Sequence, residues 1–161
     1  GKGDNYHELN SHVLPGLIQR FHSHANQKKE SINCWGTGKP RREFMHIDDL
    51  ADACIFTLER WEPNRLNSPL DENQVPLNWL NVGTGNDISI MELANLISKI
   101  TNFKGTILWD KSKPDGTYQK LLDSTKLNNL GWKPKIKLSD GIKKTYEDYK
   151  NDLKDNKVRY L

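Results

Sequence analysis

Residues 35–53 read WGTGKPRREFMHIDDLADA and hold the clearest local signals of this 161-residue chain. The run SINCW, residues 31–35, leads into them and has the composition of a short strand. The segment Gly-Thr-Gly-Lys-Pro that follows is typical of a turn. The segment REFMHI, residues 42–47, predicts a second strand, and Asp48 is expected to cap a helix that ends near Trp61.

The same alternation of strands and helices extends over the rest of the chain. Apolar residues recur at i, i+3, i+4 and i+7 from Leu14 onward, as in an amphipathic helix, and Ser89 with Glu92 forms a capping box. The other predicted elements are helices over residues 11–29, 89–102, 124–130 and 139–154, strands over 77–82 and 105–110, and a loop over 62–76. This order indicates an α/β fold. The strands are few and short, so we expect a lobe that does not close its own core.

The composition is that of a water-soluble globular domain. Hydrophobic residues make up 35% and charged residues 28% of the chain. The net charge of +3 is too small to indicate nucleic-acid binding, and no apolar run approaches the ~20 residues of a membrane span. Cys34 and Cys54 lie in apolar stretches without metal-ligand spacing, so we expect buried free thiols and no metal. The chain begins with a polar turn and without Met, and we therefore interpret it as part of a longer protein.

Two side chains of the predicted helix 11–29 could act on a phosphorylated sugar. His12 and Arg20 are eight residues apart, which is roughly 12 Å along a helix that rises ~1.5 Å per residue. An imidazole titrates near neutral pH and can exchange protons with a carbon acid, whereas a guanidinium binds phosphate oxygens in a bidentate fork. The spacing alone also allows an ordinary surface histidine.

The turn between the first two strands brings Trp35 and Arg42 toward one another. An indole beside a guanidinium can form the floor of a nucleotide site, because the ring contacts a base or sugar and the cation pairs with phosphate. A core tryptophan beside a surface arginine explains the same residues. His46, which lies close to Asp48, is expected to make a structural hydrogen bond.

Two further turns contain residues that can bind polar ligands. Asp115, in the Pro-Asp-Gly turn of residues 112–120, can accept hydrogen bonds from a ribose, a sugar or a guanine, and Lys120 can neutralise phosphate. A surface turn has the same composition. The Gly-Thr-Gly segment at residues 83–85 lacks the third glycine of a dinucleotide fingerprint, so we interpret it as a connecting turn.

Five motifs occur together in one order along the chain. They are NSHV at residues 10–13, WGTGKPRREFMHIDD at 35–49, NVGTG at 81–85, SKPDG at 112–116 and KLLD at 120–123. In this order they resemble the GDP-L-fucose synthases, which are GDP-4-keto-6-deoxy-D-mannose 3,5-epimerase-4-reductases and extended short-chain dehydrogenase/reductases. The second motif is shared broadly by sugar-nucleotide enzymes, whereas NSHV and SKPDG point to the GDP-fucose enzymes.

The resemblance implies a function and a set of site residues. It implies epimerisation at C3 and C5 of a GDP-bound keto sugar, followed by reduction at C4 with NADPH. His12 resembles the general acid of epimerisation and also lies on the nicotinamide side of the cofactor. The residues that resemble the substrate-binding set are Arg20, Trp35, Arg42, Asp115 and Lys120.

The resemblance runs from about residue 1 to about residue 148. It implies that the chain, residues 1–161, is the C-terminal, substrate-binding domain of such an enzyme, without the N-terminal Rossmann core. NADP is therefore expected to be bound mainly by the absent half, and this chain alone is expected to be inactive. The resemblance also implies a homodimer in the cytoplasm. The predicted helix 48–61 and strand 77–82 should pack on the Rossmann half. Their apolar residues without a partner would be Leu50, Cys54, Leu77, Trp79 and Leu80.

Two other functions stay open from the sequence. The chain could be the substrate domain of another nucleotide-sugar epimerase or dehydratase that takes a UDP- or dTDP-sugar. It could also be a non-catalytic nucleotide-binding or assembly module, which would use Arg20, Trp35 and Arg42 but would not need His12.

Overall fold

The fold alternates short strands with longer helices, as an α/β protein does. The computed structural model describes residues 1–63 and 68–160. The helices are α1 (Val13–Asn26), α2 (Ile47–Arg60), α3 (Ile90–Thr101), α4 (Thr125–Asn129) and α5 (Leu138–Lys154), and the strands are β1 (Ser31–Trp35), β2 (Arg41–Glu43), β3 (Asp87–Ser89), β4 (Thr106–Asp110) and β5 (Gln119–Lys120). The predicted α/β class is confirmed.

The strands form two small sheets. In the first, β1 pairs with β4 in parallel, so that Trp35 stands opposite Asp110. In the second, β2 lies in the centre, antiparallel to β3 and parallel to β5. The turn between β1 and β2 therefore joins the two sheets, and Gly36 and Gly38 both adopt positive φ within it, which glycine does without steric cost.

The main core lies between α1, α3, α5 and β1. Ile18 and Phe21 of α1 are fully buried, as the helical periodicity predicts, and the Phe21 ring meets Phe103 edge-on with centroids 5.4 Å apart. Each such side chain contributes about 1.5–3 kcal/mol when it leaves water. Tyr6 packs on Tyr149 with ring centroids 4.4 Å apart, which holds the segment before α1 against α5.

Helix α2 begins differently from the prediction. The N-cap is His46, whose Nδ1 accepts the backbone N–H of Asp48 at 3.2 Å, so Asp48 lies in the first turn and the predicted cap is wrong. The structural hydrogen bond expected of His46 is confirmed. The buried Asp49 accepts the backbone N–H groups of Lys135 at 3.1 Å and Ile136 at 2.9 Å. Its carboxylate thereby fixes α2 to the segment before α5.

Three other predictions are wrong. Residues 77–82 form no strand. The Leu77 N–H donates to the Pro69 carbonyl at 2.9 Å beside an isolated bridge between Leu70 and Pro76, but no ladder of backbone hydrogen bonds continues from there among the described residues. The bounds of the predicted strand 42–47 are wrong: β2 spans Arg41–Glu43, because β3 and β5 pair only with those residues. Cys34 is buried but Cys54 is exposed. Within the predicted loop 62–76, residues 64–67 lie outside the described part.

The outer face of α2 is apolar and open to solvent. Leu50 of α2 is 45% exposed and Leu58 is 86% exposed. Trp79, which lies outside α2, is 58% exposed. Leu77 is instead buried, and Leu80 is half-buried against a small cluster of Ala53, Leu127 and Trp132. Leu77 is therefore not among the apolar residues that lack a partner.

Candidate functional site

A groove runs from the start of α1 to the end of β1. It has a volume of about 340 Å³, and its polar lining includes Glu8, Ser11, His12 and Arg20. Trp35 and the core residue Cys34 complete the wall on the side of β1. Three of the six candidate residues from the sequence therefore share one hollow.

His12 lines this groove at the start of α1. It is the N-cap of α1, with an extended backbone at φ −67° and ψ 162°, and its exposed imidazole makes no hydrogen bond to the end of the helix within the described part of the chain. Pro15 in the first turn of α1 has no N–H to satisfy, which suits a helix that starts here. The imidazole therefore lines the groove and does not cap the helix through a hydrogen bond.

Arg20 lies two turns further along α1. Its Nη2 donates to the backbone carbonyl of Asn33 in β1, so part of the guanidinium is used to join helix and strand. A guanidinium carries five N–H donors, so this one hydrogen bond does not use up the capacity of Arg20 to bind a ligand. Burial raises the pKa of the adjacent Cys34 thiol, against the opposing charge of Arg20, so Cys34 stays protonated and serves as a wall.

Trp35 stands at the end of β1 with its indole open to solvent. It is 68% exposed, so the interpretation of a core tryptophan is wrong. The ammonium of Lys113 lies 5.8 Å from the ring centroid, which is within the range of a cation–π contact. An exposed aromatic face beside a cation is suited to a nucleotide, because the ring can stack and the cation can meet phosphate.

Arg42 is not among the residues that line the groove. Its Nη1 donates to the carbonyl of Thr117 at 2.6 Å and to that of Arg41 at 2.7 Å. The guanidinium therefore holds the loop of residues 111–120 against β2, outside the groove. Of the four side chains expected to converge, three line the groove, namely His12, Arg20 and Trp35. Arg42 instead binds the neighbouring loop.

The two remaining candidates lie on that loop and at its end. The exposed Asp115 carboxylate accepts the Thr37 hydroxyl at 2.6 Å and the Thr37 backbone N–H at 2.8 Å. These hydrogen bonds, with Lys39 nearby, hold the pKa of Asp115 below its usual range. Lys120 is exposed in β5, opposite Arg42. Neither residue lines the groove around His12.

The Gly-Thr-Gly turn at residues 83–85 is occupied by a side chain of the protein itself. Glu43 accepts the backbone N–H of Gly85 at 2.7 Å through Oε1 and that of Leu122 at 3.0 Å through Oε2. A carboxylate already fills the position that a phosphate would take, which supports the interpretation of a connecting turn. Glu43 was not predicted from the sequence as a structural residue, because it is the last residue of the charged strand β2 and follows Arg41 and Arg42.

The described residues contain no group of three or more His, Cys, Asp or Glu side chains that could hold a metal ion. None of the helices described is long and apolar enough to cross a membrane.

Known proteins resemble this chain over most of its length. The model of the NAD dependent epimerase/dehydratase family matches residues 1–67. "GDP-L-fucose synthase 1" of Arabidopsis thaliana is 46% identical over 92% of the chain and 42% of its own length. "GDP-L-fucose synthase" of Escherichia coli K12 is 44% identical over 91% of the chain and 44% of its own length. The chain thus spans less than half of these relatives.

Solved structures agree with the fold. A GDP-6-OMe-4-keto-L-xylo-heptose reductase from C. jejuni superposes with a TM-score of 0.77 at 35% identity, over 92% of the chain and 50% of that protein. A GDP-L-fucose synthetase from Naegleria fowleri superposes with a TM-score of 0.76 at 26% identity, over 99% of the chain and 44% of that protein.

Proposed function

Because this chain belongs to the GDP-L-fucose synthase family of extended short-chain dehydrogenase/reductases, we propose that it is the C-terminal, substrate-binding part of an NADP-dependent GDP-4-keto-6-deoxy-D-mannose 3,5-epimerase-4-reductase. The family is shown by 46% identity over 149 residues. The observation that carries the assignment of the site is the convergence of an imidazole, a guanidinium and an exposed indole on one groove.

The groove is proposed to bind the GDP-sugar. Trp35 offers a flat apolar face that can stack on the nucleotide or the sugar, and Arg20 and Lys113 provide cations for the diphosphate. Asp115 and Lys120, on the loop beside the groove, would complete the contacts to hydroxyl groups and phosphate. Arg42 would contribute through the loop that it holds.

His12 is proposed to act as the general acid of epimerisation. The hydrogens at C3 and C5 are acidic because each lies next to the C4 ketone, so a base can remove one and leave an enolate. Protonation of that carbon from the opposite face inverts it, and an imidazolium is a suitable donor near neutral pH. His12 is exposed at the helix start, which leaves its ring accessible to a sugar in the groove.

NADP is proposed to be held mainly by residues outside this chain. The Gly-Thr-Gly turn does not fit a dinucleotide cradle, because Glu43 takes the Gly85 N–H at 2.7 Å. When bound, NADPH would supply the hydride for reduction at C4. His12 would lie on its nicotinamide side, and the present chain would orient the keto sugar toward it.

The exposed face of α2 is proposed to pack on the remaining part of the enzyme. Leu50, Cys54 and Leu58 form a continuous apolar surface, and a surface of this kind is usually covered by a partner. The proposal further includes a cytoplasmic homodimer and an absence of turnover from this chain alone. Incubation of the chain with NADPH and the keto sugar tests the last point, since formation of GDP-fucose would refute it.

Nucleotide titration tests the proposed function directly. Calorimetric titration of the chain with GDP, UDP and dTDP should give the tightest binding for GDP, with Trp35→Ala weakening it. Preference for UDP or dTDP would instead support another nucleotide-sugar enzyme. In the full-length enzyme, His12→Gln should abolish epimerisation and leave GDP binding intact, whereas a non-catalytic module would lose nothing.

A further inference from the structure

We propose that Thr37 is a positioning residue of the nucleotide site: its hydroxyl and backbone N–H hold the Asp115 carboxylate and thereby fix the loop of residues 111–120 beside the groove. This inference rests on the proposed function, because it assumes that the loop contributes to GDP binding. We refer to the pair of contacts between Thr37 and Asp115 as the latch.

The latch is a close and directional contact between distant parts of the chain. The Thr37 hydroxyl donates to Asp115 Oδ2 at 2.6 Å and the Thr37 N–H donates to Oδ1 at 2.8 Å, across 78 residues of sequence. Both bonds go to an ionised acceptor, which makes them stronger than neutral ones. Each carboxylate oxygen is thus held by one defined donor, so the plane of the carboxylate is fixed.

The backbone around the latch allows this approach only with glycine. A Cβ at Gly36 would lie 2.2 Å from Asp115 Oδ1, and Gly36 also has φ +75°. On the other side, a Cβ at Gly116 would lie 3.0 Å from Arg42 Nη2. The loop therefore lies directly on the β1–β2 turn, with no space between them for a side chain.

The latch is connected to the wall of the groove through the same loop. Lys113, two residues before Asp115, places its ammonium 5.8 Å from the centroid of the Trp35 ring, and Trp35 lines the groove. The far end of the loop is held separately, because Arg42 Nη1 donates to the Thr117 carbonyl at 2.6 Å. The start of the loop is held as well, because the Lys113 backbone N–H donates to the Asp110 carbonyl at 3.2 Å. Loss of the latch would therefore release the middle of the loop around Asp115, beside Lys113, and leave both ends attached.

Asp115 can hold Thr37 and a ligand at the same time. A carboxylate offers about four lone-pair sites, of which the latch uses two. The remaining sites can accept from a ribose or sugar hydroxyl or from the N–H edge of a guanine. Thr37 itself does not line the groove, so its effect on binding would be exerted through Asp115.

The test compares four forms of this chain by calorimetric titration with GDP. Thr37→Val removes the hydroxyl and retains the backbone N–H, whereas Thr37→Ser retains both donors. Ser112→Ala is the matched control, because it also removes a hydroxyl that donates to a carboxylate. The Ser112 hydroxyl donates to Asp110 at 2.6 Å, but this contact is local, since the two residues are only two positions apart in the sequence. We expect Thr37→Val to bind GDP about tenfold more weakly, as for one lost hydrogen bond to a charged group. Thr37→Ser and Ser112→Ala should bind as the wild type does.

Hydrogen exchange of the amides in residues 111–120 supplies a measurement that does not depend on the ligand. Exchange should be faster in Thr37→Val and unchanged in Thr37→Ser. Equal GDP affinity of Thr37→Val and the wild type, or equal weakening by Ser112→Ala, would overturn the proposal. If the wild type bound no GDP, the proposed function would fail; the latch would then be supported by faster exchange in Thr37→Val and overturned by unchanged exchange.

Discussion

Replacement of Asp49 by alanine should destabilise the fold far more than the same replacement at its neighbour Asp48. Asp49 is 3% exposed, and its two carboxylate oxygens accept the backbone N–H groups of Lys135 at 3.1 Å and Ile136 at 2.9 Å. Alanine would leave both donors without an acceptor in a site from which water is largely excluded. Each such donor costs about 1–3 kcal/mol, so we expect a loss of about 3 kcal/mol in the free energy of unfolding.

Asp48→Ala is the matched control, since the two residues adjoin in the first turn of α2. Asp48 pairs with Lys144, but both side chains are more than half exposed, and exposed ion pairs contribute about 0–1 kcal/mol. Urea unfolding, followed by circular dichroism, measures both variants against the wild type. If the two variants lost equal stability, the role assigned to the Asp49 carboxylate in holding α2 would be wrong.

Three further predictions concern the half-buried His22 of α1, the indole in the groove and the outer face of α2. Burial, with Lys150 nearby, lowers the pKa of His22 from its ordinary 6.5, so the folded state favours the neutral ring and loses stability as the pH falls through about 6.5. The Tm should drop between pH 7.5 and 5.5, and His22→Gln should reduce this drop; an unchanged pH dependence would count against it. Trp35→Ala should weaken GDP binding by about 1–3 kcal/mol in calorimetry, as for loss of a stacking partner, and unaltered affinity would remove the indole from the site. Leu58→Lys should change unfolding stability by less than about 0.5 kcal/mol and reduce the binding of a hydrophobic dye; a large loss of stability would show that Leu58 is packed within this chain.

Elements defined by local sequence were predictable. Helix α1 follows from its apolar spacing. Ser89 is the N-cap of α3 and forms the predicted capping box, in which Ser89 and Glu92 satisfy each other's backbone N–H groups. Both signals lie within a few residues of one another and do not depend on the rest of the fold. The same holds for the glycine-rich turn after Trp35.

Features that depend on distant contacts were not predictable. The inner and outer faces of α2 cannot be assigned from periodicity alone, because its buried side is fixed by Asp49, which accepts N–H groups more than 80 residues away in sequence. Residues 77–82 have the composition of a strand, but among the described residues they form no ladder beyond the hydrogen bond from Leu77 to Pro69. His46 takes the cap expected of Asp48 because an imidazole nitrogen can accept an N–H as a carboxylate does.

The candidate site also contains both predictable and unpredictable features. His12, Arg20 and Trp35 lie on adjoining elements, so the expectation that they share a hollow holds. Arg42 and Asp115 were expected to face a ligand, but each is bonded to the protein itself, to Thr117 and to Thr37 respectively. Nothing within either local segment indicates that partner, because each contact joins parts of the chain more than 70 residues apart.

Mapping of GDP binding by NMR tests the central claim most directly. In a ¹⁵N-labelled sample of this chain, GDP should shift the amide signals of His12, Arg20 and Trp35 together, at one common dissociation constant. The signals of the exposed face of α2 around Leu58 should stay in place. Shifts confined to α2, or absent around the groove, would contradict the account.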